Sequence, residues 1–350
     1  MSEAIQAGAA VPHTDADALA VGDALVWDLV RGLWRFAAVG TMIELGCAEH
    51  LGDGPLTTAE LAKRCGAHAD SLERVLRAVA TVGLVETVAP GTYALTGAGA
   101  VLRTKAPPIF AARFNTAQPC WDALGALTQT VRTGQSAFAE RYGSIYDYLG
   151  TNPEFARLFN EFMVARSRPV SAKVAQIHDF STAQVVVDVG GGNGTFLASI
   201  LGAHSHLRGM LLEREHALPG ARDLLAAEGV ADRCELISGD FFTSVPAGGD
   251  VYLLASIVHN WDDEDALRIL RNVREAMNEG GRVLLVDLVL PDGDQPHMGK
   301  DLDVRMLTLF GPGKERNRGE YFSLLGRAGL SPGRVADLVL GLSLIEASPV

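Results

Sequence analysis

The sequence predicts an α/β fold: a Rossmann-like domain in the C-terminal half, preceded by an N-terminal, mainly helical winged-helix domain. Three observations predict it. From Ala183 onward, short apolar runs rich in β-branched residues alternate with helical segments. A glycine-rich turn, Gly190 to Gly194, follows the first of those runs. Further upstream, two helix signals and a hairpin signal stand in tandem.

The N-terminal elements follow from capping and periodicity. Residues 1–16 read as a mobile tail and 17–105 as the winged-helix-like domain. Leu25, Leu29, Leu33, Phe36 and Val39 recur at helical spacing. Leu56-Thr57-Thr58-Ala59-Glu60 is a capped helix start, Gly66 supplies a turn, and Asp70 caps a second helix running through Leu72, Val75, Leu76 and Val79. Leu84 to Val88, Pro90-Gly91 and Tyr93 to Leu95 then form a hairpin. Winged helices bind DNA in regulators and mediate dimerisation in enzymes. The six basic and four acidic residues between Thr57 and Lys105 leave a net charge of +2, weak for a nucleic-acid face.

Residues 106–180 read as a helical connector rich in aromatics, most of which pack against one another while a few line a pocket. Residues 181–350 form the Rossmann-like domain. Its strands are expected at Val185–Val189, Met210–Leu212, Cys234–Ile237, Val251–Leu254 and Val283–Leu288, with a terminal pair at Gly333–Leu340 and Ser343–Ala347.

Composition narrows the function classes. At 350 residues and 48% hydrophobic content the chain can bury two domain cores. A net charge of -12 and a pI near 5.2 repel polyanions, so no nucleic-acid partner is expected. Cys47, Cys65, Cys120 and Cys234 are scattered without a CxxC pair, which argues against a zinc knuckle or a disulfide framework and suits a reduced, cytoplasmic setting. The first residues lack the pattern of a secretion signal, and no apolar run reaches membrane-spanning length, so no membrane partner is expected either.

The glycine turn, behind Asp188, admits three readings: NAD(P) binding, S-adenosylmethionine (SAM) binding, or a tight turn alone. A dinucleotide fingerprint needs G-x-G-x-x-G/A, which no register supplies. Gly190, Gly192 and Gly194 form G-x-G-x-G instead. Glu213, ending the second strand, can accept from two ribose hydroxyls. Gly239-Asp240-Phe241-Phe242, ending the third, offers a carboxylate for an adenine amino group and a ring to cover the base, although Asp240 also suits a turn. After the fourth strand comes Ser256-Ile257-Val258-His259-Asn260-Trp261. Strand ends line the ligand crevice of such sheets, and a neutral imidazole there can take a proton from an attacking hydroxyl. Asp287 and Glu315 are the two candidates to hold its other nitrogen, Glu315 having the alternative of pairing with Arg316 or capping a helix. Asp262 and Asp263 look like helix caps, and no metal is expected.

Taken together, DVGGGNG, the Glu213 strand end, GDFF, HNWDDE and GPGKER resemble the class I SAM-dependent O-methyltransferases of the plant caffeic-acid and bacterial aromatic-polyketide type, over nearly the whole chain. The resemblance implies a homodimer formed through the winged-helix domain, SAM as cofactor with S-adenosylhomocysteine as product, and a small aromatic hydroxylated acceptor. It implies cofactor contacts from Gly190, Glu213, Asp240, Phe241 and Trp261, with Met163 and Ser167 beside the methionine end. Asp188, Gly192, Gly239 and Ser256 are counted with them. His259 would be the base flanked by Glu315 and Asp287, and Met306 would wedge the acceptor ring, with Phe114, Trp121, Phe159, Asn160, Asn260 and Phe310 around it. The chain departs from the plant pattern at Asn260, where that pattern has aspartate, at Asp287, where it has glutamate, and at Leu254-Ala255-Ser256, where it has a lysine on adenine. The other readings are N- or C-methylation, a non-methylating reaction on the same fold, or a SAM-sensing DNA-binding regulator. Arginine greatly outnumbers lysine and alanine is abundant, a bias that points to bacterial specialised metabolism.

Overall fold

A computed structural model describes residues 15–350, and the chain divides into two compact units, Met1–Thr116 and Ala117–Val350. Most of the tail expected over 1–16 lies outside the described residues, and the first helix already begins at Asp15. The first unit extends past 105 because the helix Pro107–Thr116 folds back on the helix Asp15–Glu44: a Cβ on Gly40 would stand 2.4 Å from the Thr116 methyl, and Ile109 joins the core.

In this unit the helix Thr58–Cys65 starts from a full capping box, the Thr57 hydroxyl accepting from the Glu60 amide while the Glu60 carboxylate accepts from that of Thr57. The next helix, Ala69–Ala80, is capped at His68, not Asp70. Asp70 falls in its first turn, where a negative charge still suits the helix dipole. Strands β1 (Leu56–Thr57), β2 (Val85–Ala89) and β3 (Thr92–Leu95) form an antiparallel sheet in the order β1-β3-β2, completing the winged helix. Met42, Leu51, Leu61, Leu72, Leu76, Val79 and Tyr93 make its core. Cys47 and Cys65, distant in sequence, meet here as free thiols with Sγ atoms 3.6 Å apart. The apolar periodicity of the first helix faces this core only toward its end, at Val39 and Met42. Leu25, Leu29 and Leu33 are exposed, as are Trp27 and Trp34 at 58% and 68%.

The second unit begins with helices, the longest being Pro153–Ile177, and continues into the expected sheet. Strands β4 (Val185–Val189), β5 (Arg208–Glu213), β6 (Cys234–Ser238), β7 (Gly249–Ala255) and β8 (Met277–Leu290) run parallel, in the order β8-β7-β4-β5-β6. Short β9 (Arg316–Asn317) pairs with the end of β8, while β10 (Leu330–Asp337) and β11 (Leu342–Pro349) add an antiparallel edge through β11 and β8. One face is buried under Val170, Phe196, Leu197 and Leu225, the other under Leu267, Leu270, Val273 and Leu324. Burial on both faces explains the apolar runs Val185–Val187 of β4 and Val251–Ala255 of β7. Strand order reverses at β4, so the loops leaving β4 and β7 splay apart and open a crevice at their C-terminal ends.

Candidate active site

The glycine loop leaves β4 at this crevice. Gly190 has φ +68°, and a Cβ there would stand 2.7 Å from Ile257 Cδ1 and 3.2 Å from Phe241 Cε1, so only glycine lets the turn nestle between the loops after β6 and β7. Asp188 is buried beneath the loop with neither oxygen hydrogen-bonded. Burial and the neighbouring Glu213 push its carboxyl up to about 7. Glu213 bridges strand ends, its Oε2 accepting from the Gly192 amide at 2.9 Å and its Oε1 from the Arg214 amide at 2.7 Å. Asp240 is exposed and forms the turn its sequence allowed, accepting from the Phe242 amide; Gly239 is exposed beside it.

Aromatic rings wall the crevice. Trp261 meets Phe242 edge-on at 4.6 Å and Phe241 at 6.0 Å, and stacks with Tyr146 at 6.1 Å between centroids; Tyr146 also touches Phe310. Trp261 Nε1 is buried without a partner. Ser256, at the tip of β7, holds φ +56°, a conformation costly for a residue with a Cβ, and its hydroxyl accepts from Arg166 Nη1 at 3.1 Å.

His259 sits in the short helical turn Val258–Asn260 and is 3% exposed. Its Nδ1 lies 3.0 Å from Glu315 Oε1 and 3.8 Å from Asp287 Oδ1, so Glu315 makes the hydrogen bond and Asp287 stands one step back. A carboxylate can only accept, so Nδ1 carries the proton and donates it. Among the described residues His259 Nε2 has no hydrogen-bond partner. Burial raises Asp287 to about 7, His259 opposing and Glu315 reinforcing the rise; its two oxygens and Glu315 Oε2 are buried without partners.

The loop bearing Glu315 is locked to the base by its neighbours. A Cβ on Gly313 would stand 2.7 Å from the His259 carbonyl oxygen, so only glycine allows the two backbones to touch. Arg316, fully buried, donates to the Val258 and Trp261 carbonyls and pairs with Asp263 at 2.8 Å. The alternative pairing of Glu315 with Arg316 is therefore not formed. Asp262 alone caps the helix Asp263–Ala276, since Asp263 is turned to Arg316 and Lys314.

The remaining candidates scatter. Met163 and Ser167 lie half-buried on the helix that carries Arg166. Phe159 is half-buried there, whereas Asn160 is exposed. Met306 is buried on the helix Met298–Leu309, and Phe310 follows that helix. Asn260 is buried, with its amide donating to the Ser256 carbonyl. Trp121 opens the second unit half-buried, but Phe114 is buried within the first unit. Sequence reasoning missed Tyr146, Arg166 and Arg305. Arg166 was signalled only by its place one residue before Ser167. Among the described residues no group of His, Cys, Asp and Glu is arranged to hold a metal ion, and no helix is long and apolar enough to cross a membrane.

Known proteins agree with this architecture. The O-methyltransferase domain matches residues 121–331 and the O-methyltransferase dimerisation domain residues 27–105. The phenazine O-methyltransferase of Lysobacter antibioticus is 37% identical over 328 residues, covering 93% of this chain and 96% of that one. Among solved structures, a mitomycin 7-O-methyltransferase superposes with a TM-score of 0.90 at 37% identity, over 96% of this chain and 100% of that one. An O-methyltransferase of neocarzinostatin biosynthesis, solved with SAM and 2-hydroxy-5-methyl naphthoic acid, gives 0.80 at 33%, over 91% and 96%. Fold and crevice together define a Rossmann-like methyltransferase. Within that class, the chain belongs to the O-methyltransferase family, both of whose domains it carries.

Proposed function

We propose that the chain transfers the methyl group of SAM to a hydroxyl, phenolic in kind, of a small aromatic acceptor, with His259 as general base. The observation that carries this reading is the 3.0 Å contact between His259 Nδ1 and Glu315 Oε1 beside the glycine loop. The residues present fit the donor: Gly190 and Gly192 leave room for its backbone-side approach, Glu213 suits ribose hydroxyls, and the partnerless Asp188 carboxyl and Trp261 Nε1 suit its polar groups. When bound, SAM supplies a methyl group activated by a positive sulfonium.

This chain's residues do the rest. A phenol titrates near about 10 and is a poor nucleophile at neutral pH. Glu315 keeps the proton on Nδ1, which leaves the Nε2 lone pair to accept the phenol's proton as the oxygen attacks. The imidazolium so formed is stabilised by Glu315 and, from 3.8 Å, by Asp287. Burial of these groups keeps water away and strengthens each interaction. Met306 and Phe310 are assigned to the acceptor, Met163 and Ser167 to the donor.

The apolar stripe of the first helix, with Trp27 and Trp34 exposed, together with the dimerisation domain, supports a homodimer. The free thiols support a reducing, cytoplasmic setting, and the relatives support a place in bacterial specialised metabolism. The test is transfer of radiolabelled methyl from SAM across phenols, catechols and hydroxynaphthoates, with the methylated atom identified by NMR. His259→Ala should lower kcat by about 10²- to 10⁴-fold while the affinity for S-adenosylhomocysteine is retained. Unchanged turnover would remove the base, and product methylated on nitrogen or carbon would redirect the reaction class.

A further inference from the structure

The side chain that orients His259 is held, among the described residues, by a single hydrogen bond. Glu315 Oε1 accepts from His259 Nδ1, whereas Oε2 is buried and accepts none, although the positive charges of Arg166 and Arg305 face the group. The aim of that carboxylate therefore depends on where the Glu315 backbone lies. Gly313 and Arg316 fix the chain on either side but not Glu315 itself, which stands one residue ahead of β9, before the pairing with β8 begins.

The backbone is fixed from another element. The Glu315 amide donates to Asp303 Oδ1 at 2.7 Å, a length typical of hydrogen bonds to an ionised acceptor. Asp303 is half-buried on the helix Met298–Leu309, and Met306 and Phe310 follow it at the i+3 and i+7 positions, on the same helix face. The far end of that helix is anchored in turn, the Ser136 hydroxyl donating to the Thr308 carbonyl at 2.8 Å. Burial raises the Asp303 carboxyl above its ordinary value, and the Glu315 amide is the main influence opposing the rise; the charges of Glu315 and Glu320 add to it, and Lys314 opposes it. Without the Asp303 side chain, the amide that sets the aim of Glu315 would lose its partner.

Building on the methyltransferase reading, we propose that Asp303 is a positioning residue for proton abstraction: it fixes the Glu315 backbone, and through Glu315 the aim of His259, from the helix assigned to the acceptor. Once the Asp303 oxygen is removed, the stretch between Gly313 and β9 relaxes and the 3.0 Å contact with His259 lengthens. Proton transfer needs the base within hydrogen-bond reach and correctly oriented, so a small shift lowers its rate. Asp303 acts through Glu315, so its loss falls on kcat and leaves the affinity for S-adenosylhomocysteine alone.

Two measurements test this, one of them without turnover. In protein labelled with heavy nitrogen at histidine, the His259 Nδ1 proton, assigned by its loss in His259→Ala, should give a downfield NMR resonance. Asp303→Ala should move it upfield or lose it to solvent exchange, while Asp303→Asn, whose oxygen still accepts from the amide, should keep it. In single turnovers at saturating SAM and a hydroxynaphthoate, Asp303→Ala should lower the rate by about 5- to 50-fold and Asp303→Asn by less than about threefold, with affinity for S-adenosylhomocysteine retained in both. In the Glu315→Gln background the same Asp303→Ala change should lower the rate by less than about twofold, because the group it positions is already gone. An unmoved resonance in Asp303→Ala, or a full further loss of rate in the Glu315→Gln background, would overturn the positioning role. The rates decide alone if the proton exchanges too fast to be seen, and Asp303→Ser, polar but shorter, replaces the alanine protein if that does not fold. A resonance that moves as expected in a protein that methylates no hydroxyl would uphold the positioning of His259 while refuting the methyltransferase reading.

Discussion

Replacing Glu315 by glutamine removes one negative charge while keeping an oxygen of the same reach opposite His259 Nδ1. In the native site that contact is 3.0 Å long and buried on both sides. As His259 takes up the acceptor's proton at Nε2 the ring becomes a cation, so the carboxylate matters more in the transition state than before it. The loss has a floor of about 1 kcal/mol, the difference between a charge-assisted and a neutral hydrogen bond. It has a ceiling of about 4 kcal/mol, the attraction of unit charges about 4 Å apart at an effective dielectric constant of about 20. Asp287, 3.8 Å from the same nitrogen, takes over part of the role and keeps the effect below that ceiling. A fall in kcat of about 10- to 100-fold is expected. Single-turnover rates at saturating SAM and acceptor would measure it, with calorimetry of S-adenosylhomocysteine alongside. A rate within about twofold of wild type, well under the tenfold that 1.4 kcal/mol represents, would refute the orienting role. An equal loss of cofactor affinity would move Glu315 out of the proton-transfer machinery.

Gly190→Ala places a methyl 2.7 Å from Ile257 on a backbone with φ +68°; S-adenosylhomocysteine affinity should fall by about 5- to 30-fold, a strain of about 1–2 kcal/mol, with the fold kept. Gly313→Ala should push the Glu315 loop off the His259 carbonyl and lower kcat with cofactor affinity intact, which stopped-flow turnover and calorimetry would separate. Asp188 ionises near about 4 in the unfolded chain but at about 7 in the fold. Between those values the native state binds the extra proton, so stability falls as pH rises from about 4 to about 7 and then levels. Asp188→Asn should flatten that slope and, above pH 7, stabilise the cofactor-free protein by up to about 4 kcal/mol in urea titrations; an unchanged slope would refute the assignment. Trp34→Glu should give a monomer in light scattering, because it sets a charge in the exposed apolar stripe of the first helix.

Much of this was legible in the sequence because burial on two faces leaves a strong mark. The runs of β4, β7 and β8 announce a parallel sheet, and the glycine turn after β4 locates its crevice. The stretch Leu56–Glu60 marked a capped helix start, which the capping box of Thr57 and Glu60 places at Thr58. Other features depend on contacts between distant segments. Arg166 and Arg305 lie half-buried on helices whose arginines ordinarily face water, and nothing in a 3.6-residue period distinguishes a half-buried arginine from a solvated one. The stripe through Leu25, Leu29 and Leu33 had the periodicity of a core face yet is exposed in one chain, since periodicity reports a buried face without naming what buries it. Cys47 and Cys65 come together because their helices pack, not because of their spacing. The choice between Glu315 and Asp287 turned on less than 1 Å, which only coordinates resolve.

Arg316 follows Glu315 directly and grips the carbonyls on either side of His259. One dipeptide thus supplies the base with its charge partner and its mechanical mount, and the Glu315 amide in turn donates to Asp303 on the helix that carries Met306. Proton abstraction and acceptor choice are therefore tied together through that helix. Side-chain exchanges there that admit a different ring would also shift the carboxylate that aims the proton acceptor, so a change of acceptor carries a change of rate with it.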